Sequence, residues 1–382
     1  KPGEYSSFAD SRRSNASEKS ELQADLHLKI RSMTLRTIRL ILFITLIPEV
    51  LILGFFVYAR IQSPPKAGRM IANALGIPHP AVIAHRGASY LAPEETRAAY
   101  LIARDLGADY LEGDVQRTKD GILVLLHDDT LERTSNVAEV FPGRQKDTID
   151  RFTYAELLKL DLGSWFNSAN PDRANDRFKG LKIQTVEDLL AIAEGGNHKP
   201  GVYLETKSPE RYPGVEKDLV DLLTKRGWIG RDRVCADTPA LIDESVIRPV
   251  RVGCGKAAVI FQSFSAESVQ VLKNIAATVP RVYLVDEEMG ARDGWPALVE
   301  KARSLDAGMG PVGYLSYPWH TGPAHRAGRL VHSYTINKKW QLWLMNQFGS
   351  DGVFTDRSEM ALAHFDRVPP LDTKKLIAES VF

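Results

Sequence analysis

The run AVIAHRGASYLAPEETRAAYLIARDLGADYLEGDVQRTKDGILVLLHDDTLERT, residues 81–134, decides the fold. It holds three short apolar segments, at 81–84, 109–111 and 122–126, each bounded by turn residues. Such runs read as buried strands. Residues 94–106 between the first two place apolar side chains at helical spacing. A strand, a crossover helix and a second strand make a parallel unit. Each apolar segment runs into polar residues: His85-Arg86-Gly87, then Glu112-Gly113-Asp114, then His127-Asp128. At the ends of successive parallel strands these would meet at one mouth of a barrel or open sheet.

The residue types at that mouth are specific. Glu112 and Asp114 lie two apart on a strand and so point to the same side. Two carboxylates held together repel unless a cation or a proton lies between them. Oxygen donors favour a hard ion, so one divalent metal ion, Mg²⁺ or Ca²⁺, is expected. His85 and His127 can exchange protons as acid and base. Arg86 offers a planar fork that matches phosphate. A single histidine at a strand end is usually structural. The concentration of these groups at three neighbouring ends argues for a site.

The motifs His85-Arg86-Gly87-Ala88, Pro93-Glu94-Glu95-Thr96, Glu112-Gly113-Asp114-Val115 and His127-Asp128-Asp129-Thr130-Leu131 resemble the glycerophosphodiester phosphodiesterase family. The resemblance runs from Ala81 to the region of Glu359. It implies a (β/α)₈ TIM barrel, with a small insertion after strand 3 lying over the barrel mouth. It implies metal-dependent hydrolysis of a glycerophosphodiester to glycerol phosphate and an alcohol. The glycerol hydroxyl next to the phosphate would attack first and give a cyclic phosphate. In the strand at 201–207, Glu205 and Lys207 alternate onto one face. The resemblance makes Glu205 the third metal ligand, beside Glu112 and Asp114, and Lys207 a phosphate contact. Two positions depart from the family. Glu95 stands where Asn is usual and is expected to cap or brace the following helix. Tyr334 stands where Trp is usual, which keeps an aromatic either as a wall for the substrate or as part of the core.

The rest of the chain sets limits. A formal net charge of +1 gives no strong pull toward nucleic acid, so none is expected as a partner. The two cysteines, Cys235 and Cys254, show no metal-ligand spacing and could pair or stay reduced. Residues 1–37 are mostly polar, with an amphipathic helix expected at 24–35. IRLILFITLIPEVLILGFFVY, residues 38–58, is long enough to cross a bilayer, which takes about 20 apolar residues. The polar segment before it favours a retained anchor over a cleaved signal peptide. The alternative is a buried core helix. Lys29, Arg31, Arg36 and Arg39 lie on its N-terminal side, and Arg60, Lys66 and Arg69 follow it. That balance favours a cytoplasmic N-terminus, with the catalytic domain on the outer side.

The expected organisation is a linker and lead-in helix at 59–79, a barrel at 80–366 with its insertion at 131–184, and a tail at 367–382. Strands are expected at 81–84, 109–111, 122–126, 201–207, 257–264, 281–286, 330–337 and 351–356. The aromatic segment 313–318 is set aside as a loop because of Pro318. Within the insertion, Trp165 and Phe166 either face the substrate or pack a satellite cluster. Two other functions remain open. One is a lysophospholipase D-type enzyme acting on a monoacyl lipid. The other is a catalytically silent barrel that binds lipid or glycan.

Overall fold

The computed structural model describes residues 35–230, 250–368 and 372–379. The chain divides into two compact units, Lys1–Tyr58 and Ala59–Phe382. The expected helix at 24–35 falls almost wholly outside the described residues, and so does Cys235. The helix Leu35–Gln62, whose residues up to Tyr58 belong to the first unit, continues through Pro48. Phe43, Leu51 and Leu53 on it are about two-thirds exposed, at 66%, 67% and 66%, so it is no core helix. Among the described residues, one helix is long and apolar enough to cross a membrane.

The second unit is a nearly closed barrel. Among the described residues, nine strands form one sheet: β1 Ala81–Ala84, β2 Tyr110–Arg117, β3 Leu123–Leu125, β4 Gly201–Thr206, β5 Val259–Ser263, β6 Arg281–Val285, β7 Gly308–Pro311, β8 His332–Ser333 and β9 Gly352–Thr355. Their order is β7-β6-β5-β4-β2-β1-β9-β8, with β3 attached to β2 alone. Parallel bridges from Met309 to Val331 and from Val312 to Tyr334 join the two ends of that order. Eight parallel strands therefore surround one core.

Two strands differ from expectation. The segment at 122–126 forms β3, which runs antiparallel to β2 and pairs Val115 with Leu125. It is the return arm of a hairpin and not a barrel stave, although the insertion does follow it. The missing stave is β7, Gly308-Met309-Gly310-Pro311, just before the segment set aside. A Cβ on Gly310 would lie 2.6 Å from a methyl of Leu284 and 3.0 Å from a methyl of Val282, both on β6, so a larger residue would force those side chains to shift.

Local chemistry sets the crossovers. Thr96 caps the helix Arg97–Leu106 by accepting from Ala99 N, and Gly107 ends it in the left-handed region. Ala98, Ala99, Ile102 and Leu106 of that helix are buried. Thr185 and Asp188 form a reciprocal capping box on the helix Val186–Glu194. The insertion has a hydrophobic cluster of its own, around Leu131, Phe152, Leu160 and Ile183. Phe166 is buried edge-to-face against Phe178, and Trp165 packs edge-to-face on Phe166.

The barrel interior is layered by the two-residue period of its strands. Ile83, Tyr110, Tyr203, Ile260 and Phe354 share one apolar cluster. Tyr203 meets Tyr110 and Phe354 edge-to-face at 5.7 and 4.9 Å. Two residues further along each strand stand His85, Glu112, Glu205, Gln262 and Asp356. An aromatic floor thus carries a polar layer at the C-terminal ends of the staves.

Candidate active site

His85, Arg86, Glu112, Asp114, His127, Glu205, Lys207 and Tyr334 all line one cavity of about 190 Å³ above that floor. Every residue proposed for the site from the sequence is therefore in one place. Gln262, Phe264, Leu284 and Phe354 complete its wall.

The carboxylates are held by strand register. Asp114 on β2 pairs with Glu205 on β4, and Glu205 pairs with Gln262 on β5. Glu112, Asp114 and Glu205 each offer an oxygen within 4.8 Å of the others, and all three are buried. Glu112 accepts from the Arg86 backbone N at 2.7 Å and from Gln262 Nε2 at 3.1 Å. Arg86 Nε lies 3.4 Å from Asp114 Oδ2. Lys207 Nζ lies 3.5 Å from Asp114 and 3.3 Å from Glu205.

Arg86 reaches this position through a strained backbone. Its φ is 56°, in the left-handed region, which costs a non-glycine residue on the order of 1 kcal/mol or more. The following Gly87 has φ 83°, and a Cβ on it would sit 2.7 Å from the backbone of Ala99. The turn aims the Arg86 N–H at Glu112 and the guanidinium at Asp114 and Glu94. Glu94 accepts from Arg86 Nη1 at 3.0 Å. Arg133 bridges Glu94 at 2.8 Å and Asp128 at 2.6 Å, which ties Arg86 to the neighbourhood of His127.

Burial and charge compete at each carboxyl. Burial pushes Glu112 well above the ordinary range, and repulsion from Asp114 adds to it. Burial also raises Glu205 to about 8, with Lys207 opposing and Asp114 adding. Asp114 goes the other way. Burial would raise it, but Lys207, Arg86 and the two histidines outweigh that and hold it below the carboxylate range. Burial would lower Arg86 and Lys207, yet the surrounding carboxylates leave both raised.

The donor set fits a hard cation. Three buried carboxyls converge, and Asp114 Oδ2 is buried with no hydrogen-bond partner. Glu112, Asp114 and Glu205 could hold a metal ion.

Each histidine is braced by an aspartate. His85 Nδ1 lies 2.7 Å from Asp356 Oδ1, and His127 Nδ1 lies 2.8 Å from Asp128 Oδ1. With Nδ1 engaged, Nε2 is the nitrogen left for the cavity. Asp356 also accepts from Asn337 Nδ2 at 2.6 Å and from Ser89 Oγ at 3.2 Å. Tyr334 donates to Val285 O at 3.1 Å and sets its ring edge-to-face on Phe264.

Glu95 does not cap the helix after it; Thr96 does. Glu95 is buried, and its Oε1 accepts from Asp114 N at 2.7 Å. It therefore braces the strand that carries the acidic pair. Burial pushes its carboxyl well above the ordinary range, with Asp114 adding. Sequence reasoning missed Gln262, Asn337 and Asp356. Two of them were accessible by rule: Gln262 and Asp356 lie two residues beyond inward apolar side chains.

Comparisons with known proteins give the family. Residues 85–360 match the model of the glycerophosphoryl diester phosphodiesterase family. A glycerophosphodiester phosphodiesterase of Bacillus subtilis (strain 168) is 34% identical over 278 residues, covering 73% of this chain and 84% of that protein. A solved structure of a phosphodiesterase from Oleispira antarctica, in complex with the product sn-glycerol-3-phosphate, is 26% identical with a TM-score of 0.55. It covers 75% of this chain and 97% of that one. A structure from Silicibacter pomeroyi DSS-3, a glycerophosphoryl diester phosphodiesterase by description, shares the fold at 21% identity and a TM-score of 0.60, over 75% of this chain and 93% of that one.

Proposed function

Because the chain belongs to the glycerophosphoryl diester phosphodiesterase family, we propose that it hydrolyses a glycerophosphodiester to glycerol phosphate and an alcohol. The observation that carries this reading is the pair of aspartate-braced histidines on one cavity with three carboxyls and two cations. Glu112, Asp114 and Glu205 would hold one divalent ion, Mg²⁺ or Ca²⁺. When bound, that ion would neutralise phosphate charge and orient the diester.

Arg86 and Lys207 bind the phosphate oxygens, where negative charge grows in the transition state. One of His85 and His127 takes the proton of the glycerol hydroxyl beside the phosphate. That oxygen attacks phosphorus, and the other histidine protonates the departing alcohol. A cyclic phosphate results. The histidines then exchange roles: one activates water, and the other returns a proton to the ring oxygen as the cycle opens. The tethered hydroxyl brings an entropic advantage worth up to about 7–11 kcal/mol in well-oriented cases. Tyr334 walls the glycerol side.

Phosphorus NMR of the products tests the route. A diester whose neighbouring hydroxyl is replaced by hydrogen should bind and stay intact, and so should a diacyl phospholipid. Rapid cleavage of the deoxy compound, with no cyclic phosphate from the native one, would indicate direct attack by water.

The helix Leu35–Gln62 is read as a single-pass anchor, with a cytoplasmic N-terminus and the catalytic domain on the outer side. Resistance to alkaline carbonate and protease access to the barrel test this. A second reading, a monoacyl lipid substrate, draws on one feature. A groove of about 350 Å³ lined by Tyr314, Tyr317, Leu344, Met345 and Phe348 shares Tyr334 and Thr335 with the catalytic cavity. An acyl chain would fit there. Choline release from acylated against deacylated substrate separates the two.

A further inference from the structure

His127 differs from the rest of the site in what carries it. His85, Arg86, Glu112, Asp114, Glu205 and Lys207 lie on barrel staves or directly after them. His127 follows β3, which has three residues and hangs from β2 alone. Closure of the barrel therefore does not set its place. Side chains must hold the end of this hairpin against the staves.

Two sets of contacts hold its backbone. Gln116 Nε2 on β2 donates to Leu126 O at 2.5 Å and to Asp128 O at 2.8 Å, on either side of the histidine. Asp129 accepts from Ser208 Oγ at 3.0 Å and from Arg211 Nη2 at 3.2 Å, just after Lys207. The imidazole is held by a third set, which runs through Arg133. Asp128, the partner of His127 Nδ1, accepts from Arg133 Nε at 2.6 Å and from Nη2 at 2.9 Å. The other edge of the same guanidinium donates to Glu94, with Nη1 and Nη2 each at 2.8 Å. Glu94 in turn accepts from Arg86 Nη1 at 3.0 Å. The Arg133 guanidinium carbon also lies over the Trp165 ring of the insertion, 5.8 Å from its centre.

One planar group thus carries two forks, one on the brace of His127 and one on the brace of Arg86. Only arginine has this geometry, since an ammonium is a point charge without a fixed fork. An exposed ion pair ordinarily contributes little, and Arg133 is 44% exposed. Here both carboxylates are gripped at two oxygens each, and Glu94 is only 13% exposed. Arg133 stands outside the described lining of the catalytic cavity, so it works through Asp128 and Glu94.

We propose that Arg133 is a positioning residue for the hydrolysis: its two forks register His127, on its hairpin, against Arg86 and so against the phosphate. The inference rests on the phosphodiesterase reading above.

The test is a mutant cycle in the full chain, read as kcat and KM for a small soluble glycerophosphodiester. Arg133→Ala should lower kcat by up to about 10²-fold, the cost of a misplacement of about 1 Å, and change KM much less. The double variant Arg133→Ala, His127→Ala should be no slower than His127→Ala, because the group that Arg133 places is gone. Guanidinium added below denaturing concentrations should restore part of kcat in Arg133→Ala and none in the double variant. Arg133→Lys keeps the charge and the stem, so it serves where the alanine variant does not fold. Its kcat should stay several-fold below wild type with KM little changed. Near-normal kcat in Arg133→Ala, full activity in Arg133→Lys, or losses that multiply in the double variant would each overturn the proposal and leave the phosphodiesterase reading standing. An inert wild type, or normal turnover in His127→Ala, would overturn both.

Discussion

The barrel buries two histidine–carboxylate clusters, one at each end, and they are built in opposite ways. Near the start of β9, Asp351 is engaged on both oxygens. His325 Nε2 lies 2.8 Å away, His79 Nε2 lies 3.2 Å away, and Val331 N donates at 2.8 Å. Ser63 holds the far side of His325 at 3.2 Å. At the other end, Asp114 keeps an oxygen without a hydrogen-bond partner, and more carboxyls than cations surround a cavity. The first cluster engages both oxygens of its carboxylate and leaves only His79 Nδ1 without a partner, so it stabilises the fold. The second keeps its charge unbalanced, and that imbalance is available for a ligand. A buried titratable group points to function when its partners are incomplete, not merely because it is buried.

The comparison is tested most sharply by removing a histidine from the open end. His85→Ala and His127→Ala should each lower kcat by about 10²–10⁴-fold with little change in Tm. Near-normal turnover in either variant would remove it from the acid–base pair.

Removing a partner from the closed end should do the reverse. Asp351→Ala leaves two histidines facing a buried gap, and breaking a buried pair this way costs about 3–5 kcal/mol. Thermal melting should show the loss, while turnover per folded molecule stays near wild type. A catalytic defect with unchanged melting would mean that the ends are not separable.

A smaller effect is expected at Glu95. Glu95→Ala removes the acceptor that holds Asp114 N, and loss of such a support typically weakens ion binding by about 10–100-fold. Glu95→Gln keeps an acceptor and should lose less. If both variants bind the ion alike, Glu95 only fills space.

The smallest effect is in pH dependence. Burial would raise Asp351, but hydrogen bonds from His325 and His79 outweigh it and hold the carboxyl below its ordinary value. A depressed folded value adds stability above the unfolded value of about 4, and that stability is lost as pH falls through the folded value. Denaturant midpoints measured from pH 6 down to about 3 should fall less steeply in Asp351→Asn than in wild type. Parallel curves would remove Asp351 from acid stability.

Much of the open end was legible in the sequence, because its chemistry follows directly on apolar runs. His85 and Arg86 follow β1, and the Glu112–Asp114 spacing matches the strand period. The barrel staves were less legible. Three apolar residues at β3 do not state a direction, and only pairing with β2 makes that strand antiparallel. Gly308-Met309-Gly310-Pro311 has little strand propensity, and only pairing with β6 makes it a stave. One stave was counted in error and one was missed, so the total of eight came out right. The closed cluster was not visible at all. Ser63, His79, His325 and Asp351 stand far apart in sequence, and no local motif joins them.

We propose that the unbalanced charge at the open end holds a divalent ion that the closed end cannot. Calorimetric titration of Mg²⁺ or Ca²⁺ into chelator-treated full-length protein measures this directly, with Asp114→Asn and Asp351→Asn alongside. One ion per chain is predicted for wild type and for Asp351→Asn, with binding abolished in Asp114→Asn. Equal binding by Asp114→Asn, or no binding by wild type, would contradict it.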